Sequence, residues 1–340
     1  SSNTAVGRDA LIVNTTGTQN TSVGHNALDA NTTASNNTAV GFSSLTDNQT
    51  GASNAAFGSF SLENNTTGGS NTACGHNALA GNTTASNNTA VGKGALELNT
   101  TGTFNTAMGS ASLDANTTGS NITAVGYNAL GANTTANNNT ALGYNVLSSN
   151  TTGQHNIGIG GNDATNLATL ANNTTGSQNV GIGMAALLNN STASNNTAVG
   201  YQSLRSNTTG EANVAIGTSA LDTNTTASNN TAVGFAAMDA NTIGANNVAV
   251  GANALDANTT ADNNTAVGKG SLTTNTTGAN NTAVGLQALA SNTTASSNTA
   301  VGLNAAVSVT TGGSNTAIGN SALDTCTTGS FNVCIGNTAG

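Results

Sequence analysis

Asn-Thr-Ala-Val-Gly, or a close variant, returns along this chain at residues 3, 20, 37, 54, 71, 88, 105, 122, 139 and 156. It returns again at 179, 196, 213, 230, 247, 264, 281, 298, 315 and 332. Every step is 17 residues except one of 23. A period this regular over 340 residues restricts the chain to a repeat architecture, in which one small unit is stable only when stacked on its neighbours. The unit reads N-T-A-V-G-x-x-A-L-x-x-N-T-T-G/A-x-x, and its positions are numbered 1 to 17 here.

The pattern within the unit selects strand over helix. Position 4 is apolar (Val6, Val23, Val40, Phe57, Met108, Ile335), and position 2 drifts from Thr to Ile157, Val180, Val214 and Val248. Residues two apart share one face of a strand, so positions 2 and 4 are expected to face a core. Position 3, always small (Ala5, Ser22, Gly158, Cys334), is then expected to face outward. Its restriction to small residues suggests a surface packed closely against it, such as a neighbouring chain. Leu or Met at position 9, Asn at 12 and Thr at 14 are expected to point inward, and position 13 outward. Gly at position 5 in all twenty copies marks a corner with positive φ or no room for a Cβ, and Gly or Ala at 15 a second corner.

These features predict an all-β chain: a parallel β-solenoid, or β-roll, of about twenty 17-residue coils with two short strands each. One coil buries four or five small side chains, roughly a few kcal/mol at about 25 cal/mol per Å². Ordering its backbone costs about 1–2 kcal/mol per residue. Stacking must make up the difference, through hydrogen bonds between coils and columns of identical side chains. Asn at positions 1 and 12 is expected to form amide ladders, and twenty coils at about 4.8 Å would make a rod on the order of 95 Å long. The domain reading is therefore a single uncapped solenoid over 1–340, a segment of a longer chain. The region 161–171 carries the six-residue insertion, read as a bulged loop.

Composition narrows the function classes. Only 5% of residues are charged, the net charge is −9, and there are four Lys and Arg together, which speaks against nucleic-acid binding. No apolar run is long enough to span a bilayer. The three cysteines (Cys74, Cys326, Cys334) are too scattered for a disulfide framework or metal cluster. His25 and His76 recur at one rim position three coils apart, and His155 sits elsewhere, so each reads as a surface histidine. Acidic residues gather at position 10 (Asp29, Glu63, Glu97, Asp114, Asp222, Asp239) as a dilute stripe, in which no catalytic pair can be singled out. Neither a calcium-binding β-roll motif nor a phosphate loop occurs. Asn-Thr-Thr at position 12 is formally a glycosylation acceptor, but an inward amide would be unavailable. The expectation is no enzyme, no cofactor and no metal. Position 6 is the most variable, and its aromatics Phe42, Tyr127, Tyr144, Tyr201 and Phe235 are the candidate contacts for a partner.

The Asn213-Val214-Ala215-Ile216-Gly217 core resembles the head repeats of trimeric autotransporter adhesins. The whole unit is still more similar to the repeat stalks of phage and viral tail-fibre proteins. The resemblance covers essentially the entire chain, although the adhesin heads use units nearer fourteen residues. It implies a left-handed parallel β-roll, a homotrimer, an extracellular, cell-surface or virion location, and attachment to a host or cell-surface receptor. The leading expectation is an extracellular structural fibre or adhesin stalk or head, as a trimer or a single-chain filament. The alternatives are an ice-binding solenoid using the Thr column at position 13 and carbohydrate processing on a solenoid scaffold.

Overall fold

A computed structural model describes residues 2–161 and 167–340. The chain is an all-β parallel solenoid with one three-residue strand per coil, not two. Among the described residues the remainder of each coil is turns, bends and irregular segments. It divides into two compact units, Ser1–Thr175 and Gly176–Gly340. The first holds strands β1 (Thr4–Val6) to β10 (Ile157–Ile159), and the second β11 (Val180–Ile182) to β20 (Val333–Ile335). Within each unit consecutive strands pair in parallel and in strict register, as in Val214↔Thr231, Ala215↔Ala232 and Ile216↔Val233.

The strand faces are the reverse of the expected ones. Position 3 is the buried residue and positions 2 and 4 face outward: Ala215 is 0% exposed and Ile216, next to it, 40%. Phe57 and Met108 at position 4 are likewise exposed. The alternation was legible but its sign was not. A coil this narrow has room beneath the strand for a methyl, so volume overrides hydrophobicity. The close-packed surface that keeps position 3 small is the chain's own core, and Gly158 shows it directly. A Cβ there would meet Val146 Cγ1 at 2.5 Å. Position 14 also departs from expectation, with Thr33 exposed, and Thr32 at position 13 is half-buried.

Three further positions line the core. Ala or Ser at 8 and Leu at 9 are buried in most coils, and Asn at 12 is fully buried wherever coils lie on both sides. Leu at position 9 adopts left-handed backbone (φ 52° at Leu28, 53° at Leu79). That conformation costs about 1 kcal/mol or more in a non-glycine residue. It directs the side chain into the core, worth roughly 1.5–3 kcal/mol on full burial. It also lets the Leu28 N–H donate to Ser44 O of the next coil at 3.1 Å. Positions 7 and 17 are left-handed as well, for example Asn26 (φ 57°) and Asn36 (φ 63°). Asn tolerates this region better than most residues.

Gly at position 5 is required twice over. Gly217 lies at φ +131°, and a Cβ on it would meet Gly234 O at 2.4 Å. The corner expected at position 15 has no positive φ; small residues stand there because the space is taken by the next coil's carbonyl and a neighbouring Asn Oδ1.

The two Asn columns solve different problems. At position 12 the amides form the expected ladder: Asn65 Nδ2 donates to Asn48 Oδ1 at 2.7 Å, and Asn82 Nδ2 to Asn65 Oδ1 at 2.7 Å. At position 1 the amides do not bond one another except at the last coil, where Asn332 Nδ2 donates to Asn315 Oδ1 at 2.9 Å. Asn20 Oδ1 accepts the Asn37 backbone N–H at 2.9 Å, while Asn20 Nδ2 donates across its own coil to Ala34 O at 2.8 Å. That carbonyl also accepts from Asn31 Nδ2 at 3.2 Å. The position 15 carbonyl thus ties both columns together. Buried amides are tolerable only when so paired.

Of the expected insertion, residues 162–166 lie outside the described residues. The flanks show where the register resumes. Thr169 N–H donates to Gly160 O at 3.1 Å, and Leu147 N–H to Thr169 O at 3.2 Å. Thr169 and the fully buried Leu170 therefore take positions 8 and 9 of that coil.

Candidate functional site

Position 6 follows the corner glycine and projects from the rim of each coil, so one residue per coil is displayed in a column. Phe42, Tyr127, Tyr201 and Phe235 are exposed, Phe235 most of all at 61%. Tyr144 is half-buried and stacks on Tyr127, ring centroids 5.1 Å apart and planes 19° from parallel. Phe42 stacks on His25 at 5.4 Å and 5°. Phe60, at position 7, was not among the sequence candidates. It meets Phe42 edge-on at 5.3 Å and His76 at 5.7 Å. The five candidates are thus not one site: Phe42 belongs to a four-ring rim cluster, Tyr127 and Tyr144 form a pair, and Tyr201 and Phe235 stand two coils apart. Phe60 could have been found by asking which position 7 residues are neither small nor polar.

The acidic stripe at position 10 is partly desolvated. Burial pushes the Asp222, Asp239 and Asp256 carboxyls above the usual carboxylate range. Burial does the same to Asp29, Glu63 and Asp114, helped by neighbouring acids. Arg205, one coil before Asp222 in the same column, opposes the rise at Asp222. Its Nε lies 2.8 Å from Oδ1 and its Nη2 donates to Oδ2 at 3.0 Å. Among the described residues no three His, Cys, Asp or Glu side chains converge as metal ligands. The three cysteines are unpaired. Among those residues no helix is long and apolar enough to cross a membrane.

A second surface was missed because the strand faces were read in reverse. The outward face of the strands carries Thr at position 2 beside Val, Ile, Leu, Met or Phe at position 4, and the apolar column is exposed at Phe57, Met108, Leu142, Ile216 and Ile318. The Thr column at position 13 is less available, since its hydroxyls donate along the stack: Thr66 Oγ1 to Thr83 O at 3.0 Å and Thr100 Oγ1 to Thr117 O at 2.9 Å. No protein-family model matches this chain, and no curated protein matches it.

Proposed function

We propose that this chain is a structural element of an extracellular fibre, a stalk or head that holds attachment surfaces away from a cell or virion. The observation that carries this reading is the strict register of both Asn columns and of the strands, coil after coil. The strand pairing, the position 12 amide ladder and the Oδ1 acceptors of position 1 join one coil to the next, while the Nδ2 donors of both columns close each coil on its own position 15 carbonyl. A scaffold built this way keeps its rim residues at constant spacing, and the exposed aromatics of position 6 would be the points of contact with a receptor. Resemblance to tail-fibre and adhesin repeats supports the same role. The chain works as a homotrimer, with the outward apolar column of position 4 as the seam, because a long row of exposed Val, Ile and Phe is a common mark of an interface. Electron microscopy together with light scattering tests the proposal. Thin rods with the mass of three chains are expected, and compact particles would overturn it.

Ice binding is the second reading, and it moves to another face. The outward Thr of position 2 repeats in register with a methyl-bearing residue at position 4, a regular array of hydroxyls and methyls. Thermal hysteresis and ice-shaping at micromolar protein decide it, and their absence removes this reading.

A further inference from the structure

We propose that the recess around Gly270 binds the carboxylate of an acidic sugar, a uronic acid, and that the chain contains an internal image of the occupied state at Gly94. The only two lysines in the sequence, Lys93 and Lys269, both stand at position 6 and are followed by Gly94 and Gly270. Both glycines lie at φ +65°. The preceding coil presents an asparagine at the same place in each case, Asn77 and Asn253. The two sites differ at position 10, where the first has Glu97 and the second Thr273.

At the first site the chain fills the space itself. Glu97 Oε1 accepts from Asn77 Nδ2 at 3.0 Å, and Oε2 lies 2.9 Å from where a Cβ on Gly94 would stand. Gly94 is buried as a result. At the second site Thr273 is too short to reach. Gly270 is half-exposed and Asn253 exposed, and a Cβ on Gly270 would meet nothing nearer than Gln287 Cγ at 3.8 Å. What remains is a recess of about 410 Å³ lined by Asn253, Lys269, Gly270, Thr273, Leu286 and Gln287.

The lining specifies the guest. A carboxylate in the place of Glu97 would accept from the Asn253 carboxamide as Glu97 does from Asn77. A guest not tethered to the chain could in addition turn toward the Lys269 ammonium in the same lining, a charge-assisted contact that Glu97 does not make with Lys93. The volume suits a ring carrying that carboxylate better than a bare anion. Leu286, 45% exposed, offers an apolar wall to the C–H face of a pyranose, and Gln287 and Thr273 can bond its hydroxyls. Asp256 lies one coil back in the position 10 column, but Glu97 holds its own place with Asp114 one coil ahead. The site stands whether or not the chain belongs to a fibre.

Isothermal titration calorimetry on the whole chain tests this with three probes: a glucuronate-containing tetrasaccharide, its carboxyl-reduced counterpart and a tetraglutamate peptide. The acidic saccharide is expected to bind at one site per chain, and the other two at least about tenfold more weakly. Thr273→Glu, which copies the residue the chain already holds at Glu97, abolishes binding with an unchanged circular dichroism spectrum. Lys269→Gln weakens binding about tenfold, whereas Lys93→Gln leaves it unchanged. Lys269→Gln carries the test should Thr273→Glu fail to fold. Absence of binding, equal binding of the reduced saccharide or the peptide, or undiminished binding by Lys269→Gln overturns the proposal.

Discussion

Asn292 presents its Oδ1 toward the coil that carries Val309, and that buried oxygen has no hydrogen-bond donor. Its Nδ2 is satisfied, donating to Asn275 Oδ1 at 2.8 Å and to Ala295 O at 3.0 Å. The position 12 ladder is therefore directional: each amide donates backward and accepts from ahead. An apolar residue strands the acceptor of the coil before it. Asn224→Val would strand Asn207 Oδ1, which now accepts from Asn224 Nδ2 at 2.9 Å. Asn292→Val removes one orphan while creating another at Asn275. Asn224→Val should therefore destabilise by about 1–3 kcal/mol more than Asn292→Val, the penalty of one additional buried unpaired acceptor. Hydrogen exchange in the adjacent coils checks this, and equal losses would contradict the directional ladder.

Ile122 interrupts the other column. Its own N–H donates to Asn105 Oδ1 at 3.0 Å, but its side chain offers nothing to the Asn139 N–H. The equivalent Asn71 N–H has Asn54 Oδ1 at 2.9 Å. The Asn139 amide is expected to exchange about tenfold faster than that of Asn71, the equivalent of one net hydrogen bond. Ile122→Asn should slow it to the common rate. Mass-spectrometric hydrogen exchange reads both.

Acid should strengthen this fold over part of the pH range. Asp222, Asp239 and Asp256 have carboxyls held above the ordinary aspartate value of 3.8, chiefly by burial. Between that value and the raised folded-state value, the folded chain binds more protons than the unfolded one. Stability therefore falls as pH rises through this window and is regained as pH falls toward about 4. A higher melting temperature at pH 4 than at pH 7, followed by circular dichroism, is expected. Arg205→Gln should enlarge the difference, because it removes the cation that favours ionised Asp222.

Two glycines of similar appearance should respond in opposite ways. Gly217→Ala forces a methyl into Gly234 O at a φ of +131° and should cost at least about 3 kcal/mol. Gly270→Asn places at φ +65° a residue type that position 7 already holds in left-handed backbone at Asn26 and Asn253, so its effect should stay within about 1 kcal/mol. Denaturant unfolding compares them.

Expression in a glycosylating secretory host should modify the chain at position 17 and not at position 12. Asn31 is buried and bonds Asn14 Oδ1 at 2.9 Å, so the Asn31-Thr32-Thr33 sequon is closed in the folded chain. Asn36, Asn195 and Asn229 are exposed and each opens an Asn-Asn-Thr sequon. Glycopeptide mass spectrometry should find glycans on Asn36, Asn195 or Asn229 and none on Asn31. The exposed set went unnoticed in the sequence because Asn-Asn-Thr straddles the boundary between units.

The amino-acid sequence alone determined the coil length, the parallel stacking, the glycine corner at position 5, the Leu of position 9 and the inward Asn of position 12. All of these follow from period and from chemistry that one environment tolerates. Tertiary structure decided which face of the strand is buried. Period two is symmetric between faces, and only the width of the coil makes Ala215 the core residue and Ile216 the surface one. It also decided what each Asn column bonds to, since direction and partner depend on where the position 15 carbonyl lies. The Gly270 recess has the same origin: Lys-Gly occurs twice in the sequence, but whether the space beside it is filled depends on a side chain three residues on and an asparagine one coil back.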